Sequence, residues 1–99
     1  MEPIHSSTIR TMRLRVRYAG RVQGVGFRAT ARSIMSRFPV TGWVRNEPDE
    51  TVLLEVQGHD EAVRSALTDL RTSMGRNIQS EDASPIDDFP GERRFEINH

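Results

Sequence analysis

Gly20-Arg21-Val22-Gln23-Gly24-Val25-Gly26-Phe27-Arg28 is the stretch on which the reading of this chain turns. On its N-terminal side, Met12, Leu14, Val16 and Tyr18 alternate with Arg13, Arg15, Arg17 and Ala19. That period predicts a strand with one apolar and one charged face. On its C-terminal side, Phe27, Ala31, Ile34, Met35 and Phe38 recur at helical spacing until Pro39, which predicts a helix over residues 27–37. A two-glycine loop between such elements can turn tightly, present several backbone N–H groups inward and add the positive end of the helix dipole. This is a cradle for an anion such as phosphate. Arg28 falls in the first helical turn, where the dipole disfavours a cation, so its placement calls for an anionic ligand.

Downstream, Val40–Asn46 reads as a second strand and residues 51–57 as a third, with Val52, Leu54 and Val56 on one face. Only Glu47-Pro48-Asp49-Glu50 separates them, so they form an antiparallel hairpin rather than a parallel pair. Gly58-His59-Asp60-Glu61 opens a second helix whose stripe is Val63, Ala66, Leu67, Leu70 and Met74 and which Gly75 ends. A short fourth strand is predicted over residues 78–81, a loop over residues 84–91, and a last strand carrying Phe95 and Ile97. The order β-α-β-β-α-β is the split βαβ or ferredoxin-like arrangement, an α+β fold with an antiparallel sheet and two helices on one face. Residues 1–11 read as a flexible N-terminal arm and residues 12–99 as one domain. Trp43, Phe27 and the second helical stripe are expected in the core.

Formal net charge is zero, yet residues 1–46 carry nine arginines against Glu2 alone, and residues 47–99 carry five arginines against thirteen acids. The chain lacks the global positive field that non-specific polynucleotide binding uses, so a small, locally held anion fits better and no nucleic-acid partner is expected. Without cysteine, thiolate chemistry and disulfides are excluded. Without lysine, Schiff-base chemistry and a Walker-type loop are excluded as well. His5, His59 and His99 have no metal-ligand spacing and read as surface residues, so no metal site is expected. No run has signal-peptide character or membrane-spanning length, and a cytoplasmic location is expected. Arginines on the charged face of the first strand would discourage pairing at that sheet edge, which favours a monomer.

Two motif matches in the glycine loop are decoys. Gly24-Val25-Gly26-Phe27-Arg28-Ala29 satisfies G-x-G-x-x-A, but the strand ends before Gly24 and the following strands form a hairpin, unlike a dinucleotide-binding unit. Gly24-Val25-Gly26-Phe27 faintly echoes an RNA-binding signature, but it lies in a loop and Phe27 belongs to the helical stripe. What the loop does resemble, together with Thr41-Gly42-Trp43-Val44-Arg45-Asn46, is the pair of signature segments of the acylphosphatase family. The similarity covers nearly all of the chain except the N-terminal arm and residues 84–91.

The resemblance implies that Arg28 is the substrate-binding arginine and Asn46 the water-orienting asparagine, with no metal or organic cofactor. The chemistry is coherent on its own terms, because an acyl phosphate is already activated and needs only a held phosphoryl group and an aimed water. Backbone N–H groups of Val22, Gln23, Gly24, Val25, Gly26 and Phe27, with the Arg28 fork, suit the phosphate. No histidine, cysteine or lysine is placed as base or nucleophile, so a substrate phosphate oxygen would take the water's proton. The bland alternatives are a surface ion pair for Arg28 and a turn-opening role for Asn46. Arg21 and Arg45 read as solvated or weakly steering charges. A non-catalytic anion-binding role stays open, since a similar fold handles carbamoyl phosphate at the N-terminus of hydrogenase-maturation carbamoyltransferases. A chain ending at His99 makes that version the lesser expectation.

This sequence departs from the family at several points. Ala29 and Thr30 stand where aromatic residues are frequent. Glu47 replaces a more usual neutral residue beside Asn46, which would put negative charge next to the site. Glu50 takes a turn position often given to glycine, which predicts a strained hairpin.

Overall fold

The computed structural model describes residues 10–99. Its elements are β1 (Thr11–Gly20), α1 (Phe27–Met35), β2 (Val40–Asn46), β3 (Val52–His59), α2 (Asp60–Met74), β4 (Ile78–Ile86) and β5 (Phe95–Ile97). They form one five-stranded sheet in the order β4-β1-β3-β2-β5. The expected hairpin is present, with Asn46 opposite Val52 and Trp43 opposite Glu55. Val16, Tyr18, Val44, Leu54 and Val56 meet Phe27, Ile34 and Met35 of α1 and Val63, Ala66 and Leu70 of α2 in a single core. Both helices thus cover one sheet face, as the α+β expectation requires. The arm expected over residues 1–11 lies, for residues 1–9, outside the described residues. Arg10 already accepts a bond from the Asp60 N–H at 2.8 Å, and Thr11 pairs with His59.

Several local expectations are corrected. Helix α1 stops at Met35 rather than residue 37, and its end tightens through i→i+3 bonds from Arg37 to Ile34 and from Phe38 to Met35. Strand β4 runs to Ile86, through part of the stretch read as loop. Pro85 is tolerated there because β4 is an edge strand, where a missing N–H leaves no ladder bond unmade. Strand β5 adds a parallel edge by pairing with β2, so the sheet is not antiparallel throughout. Strand β1 lies inside the sheet between β3 and β4, which removes the edge argument for a monomer.

The charged face of β1 is also not simply solvated. Arg13 is 3% exposed and Glu55 6%, and they pair at 2.8 Å. Glu92 closes on the same guanidinium at 2.8 Å, while Phe89 exchanges backbone bonds with the Gln57 side chain. The connection between β4 and β5 is thereby strapped across this end of the helix-free face. Arg15 pairs with Glu55, Arg17 approaches Asp49, and Arg45 pairs with Glu47. Much of the charge asymmetry along the sequence is consumed inside the fold, basic half against acidic half. Trp43, expected in the core, is half-buried on this same face under the Arg45 guanidinium, 4.8 Å from its ring.

Candidate active site

The glycine loop hangs between two buried anchors. Val22 is buried, and Phe27 packs its ring 5.0 Å from that of Tyr18 on β1. The Arg21 N–H bonds to the Asn77 carbonyl at 2.9 Å, which fixes the entry of the loop against the start of β4. Between the anchors, Gly24 and Gly26 take φ of 77° and 79°, a left-handed conformation that side chains resist. Gly26 is the N-cap of α1, which has no side-chain cap and no acid in its first turn. The first bond back into the helix start runs from Thr30 to Gly26 at 3.0 Å. Among the described residues, no backbone N–H of residues 22–29 donates to a protein acceptor. These are the orphan donors that a helix start supplies, extended by a glycine turn.

Arg28 stands on the flank of α1 beside its core stripe and is half-buried. Among the described residues it makes no ion pair or side-chain hydrogen bond, unlike Arg13, Arg15, Arg17, Arg45, Arg64, Arg71 and Arg94. The surface ion pair offered as its bland alternative is not formed there. Arg21 is exposed.

Asn46 is the last residue of β2. Val40, Gly42 and Val44 of this strand are buried toward the helices, so the period of two places Asn46 on the helix-side face. The connection to the loop is made by a side chain that the sequence reading had used only for its backbone. Gln23 Nε2 donates to the carbonyls of Glu47 and Thr51, both at 2.9 Å. Both partners are acceptors, so only the amide nitrogen can occupy that position. Gln23 therefore ties the glycine loop to the hairpin that starts at Asn46. Nothing in local sequence pattern announces such a tether, because its partners are main-chain atoms brought together by the sheet.

The two hairpin departures have different outcomes. Glu50 does take a positive φ, 74°, as its place in the turn predicts. Asp49 closes the turn by accepting from the Thr51 hydroxyl at 2.6 Å and the Thr51 N–H at 3.1 Å, and those bonds hold its carboxyl below the usual range. Glu47, expected to burden the site, is instead neutralised by Arg45 at 2.6 Å on the face shared with Trp43. Arg45 is thus a paired and stacked residue rather than a steering charge.

Among the described residues, no three histidine, aspartate or glutamate side chains converge as a metal site. Among the described residues, no helix is long and apolar enough to cross a membrane. One cleft lies beside β5, lined by Trp43, Phe89 and Arg94, and another between α2 and β4, lined by Leu14, Leu67 and Arg71.

The acylphosphatase family model matches residues 14–97. An acylphosphatase of Rhizobium etli is 50% identical over 58 residues, an alignment covering 59% of this chain and 62% of that protein, just under two thirds of its length. An acylphosphatase of Salinibacter ruber is 40% identical over 85 residues, covering 82% of this chain and 90% of that protein. The crystal structure of acylphosphatase from Bacillus subtilis superposes with a TM-score of 0.79 at 25% identity, covering 89% of this chain and 99% of the other.

Proposed function

The chain belongs to the acylphosphatase family, and we propose that its hydrolysis of acyl phosphates proceeds by in-line attack of water at a phosphorus held by the loop of residues 22–28. In this reading the N–H groups of Val22, Gln23, Gly24, Val25, Gly26 and Phe27 and the Arg28 guanidinium bind the phosphoryl oxygens and stabilise their charge in the transition state. The Asn46 amide orients the water opposite the leaving carboxylate. The new bond joins water oxygen to phosphorus, the bond to the acyl oxygen breaks, and a phosphoryl oxygen takes the water's proton. The products are a carboxylate and inorganic phosphate.

The observation that carries this is the half-buried Arg28, without a protein partner among the described residues, at the head of a row of undonated N–H groups. The Gln23 tether supports the rest, because it joins that row to the Asn46 hairpin. On this reading the protein acts in the cytoplasm as a monomer, on a small-molecule acyl phosphate and not on nucleic acid. The outer strands are poor templates for self-pairing, since β4 carries Glu81, Asp82 and Pro85 and β5 has only three residues.

Inhibition by inorganic phosphate separates the two roles. Arg28→Gln should weaken phosphate inhibition by about tenfold or more, the loss of a charge-assisted bidentate contact. Asn46→Ala should leave it within about twofold while turnover falls about 10² to 10³, the cost of one well-placed polar group. Equal phosphate affinity in wild type and Arg28→Gln would overturn the assignment of the cradle.

A further inference from the structure

The hairpin that presents Asn46 is gripped at two points. Gln23 holds the carbonyls of Glu47 and Thr51. From β1, Arg17 Nη1 donates to Thr51 Oγ1 at 2.8 Å, and the same nitrogen lies 3.8 Å from Asp49 Oδ2. The Thr51 hydroxyl in turn donates a hydrogen bond to Asp49 Oδ1 at 2.6 Å. A chain from guanidinium to hydroxyl to carboxylate thus spans the tip, next to Val52, the cross-strand partner of Asn46.

Arg17 differs from its neighbours on β1. Arg13 and Arg15 both turn to Glu55, whereas Arg17 leaves that network and reaches the turn. The turn needs holding, because Glu50 at φ 74° carries a side chain in a conformation that suits glycine. A relaxation of Glu50 would shift Thr51 and loosen the Asn46–Val52 register. The Arg17 side chain is 43% exposed and makes no contact with the cradle among the bonds above, so it is replaceable without disturbing phosphate binding.

We infer that Arg17 is a positioning residue for the reaction, holding the strained Glu50 turn through Thr51 and Asp49 so that Asn46 keeps its aim. The inference rests on the water-orienting role given to Asn46 above.

The test is a double-mutant cycle with benzoyl phosphate as substrate. Arg17→Met, which keeps the stem beside its register partner Leu53 but removes the donors, lowers kcat about 3- to 5-fold. It leaves KM and inhibition by inorganic phosphate within about twofold. Glu50→Gly added to Arg17→Met restores kcat, because a relaxed turn no longer needs the clamp. On an Asn46→Ala background Arg17→Met has no further effect, the non-additivity of two residues acting as one. Wild-type kcat in Arg17→Met, or a loss that persists on the Asn46→Ala background, would overturn the inference alone. Unchanged kcat in Asn46→Ala would overturn the role of Asn46 itself, and this inference with it.

Discussion

Replacing Gln23 tests whether the cradle and the hairpin form one site. Its amide donates two bonds of 2.9 Å, to the carbonyls of Glu47 and Thr51. Each carbonyl also accepts a second bond within the hairpin, Thr51 from the Glu47 N–H at 2.9 Å and Glu47 from the Glu50 N–H at 3.1 Å. Gln23→Ala therefore strands no acceptor and removes only the net value of two hydrogen bonds, about 1–2 kcal/mol of stability. For a domain of this size that lowers Tm by roughly 4–16 °C. Turnover falls with it, because the loop is no longer fixed relative to Asn46. Gln23→Glu has nearly the same shape but sets a carboxylate against two carbonyl oxygens, so it loses the bonds and adds repulsion. The predicted order is wild type, then Ala, then Glu, in both thermal unfolding and benzoyl phosphate kcat. A Glu variant as stable and active as wild type, or better than Ala, would refute the tether.

Two further perturbations probe the framework around the site. Arg13→Met leaves Glu92 without its guanidinium while Arg15 still serves Glu55, and urea unfolding should show a loss of about 3–5 kcal/mol. Arg15→Met, at a half-exposed position, should lose about 1 kcal/mol or less in the same measurement. Tyr18 is the only tyrosine, in a chain without lysine, so little else titrates near its range. Burial, then the Glu81 charge and hydrogen bond, raise its phenol well above the unfolded value of about 10. Its contribution is complete below that pH and is lost above it, at up to about 1.4 kcal/mol per pH unit. Urea midpoints between pH 9 and 11 should fall more steeply for wild type than for Tyr18→Phe, and parallel curves would contradict the burial argument.

Legibility in the sequence followed the range of the interactions. Strand β1, the loop and both helices could be read because their signals are local: period two from Met12 to Tyr18, period 3.6 from Phe27 to Met35 and from Val63 to Met74, and Gly24 with Gly26 at a helix start. The burial of Arg13 was not legible locally, because it depends on Glu92, which lies far along the chain. Trp43 was misread because a half-buried aromatic under an arginine has the same local pattern as a core residue. The extension of β4 through Pro85 depends on its being an edge, a property of topology. At the site, the Gln23 tether and the burial of Arg13 could emerge only once the sheet had set the hairpin against the loop.

The most direct test of the central claim is steady-state hydrolysis of benzoyl phosphate by the purified protein, with chelator in excess, for wild type, Arg28→Gln and Asn46→Ala. The account predicts rapid wild-type turnover, with both variants reduced by about 10² or more while their thermal unfolding stays close to wild type. Folded variants that keep wild-type turnover, or a wild-type protein that binds phosphate but hydrolyses nothing, would contradict it.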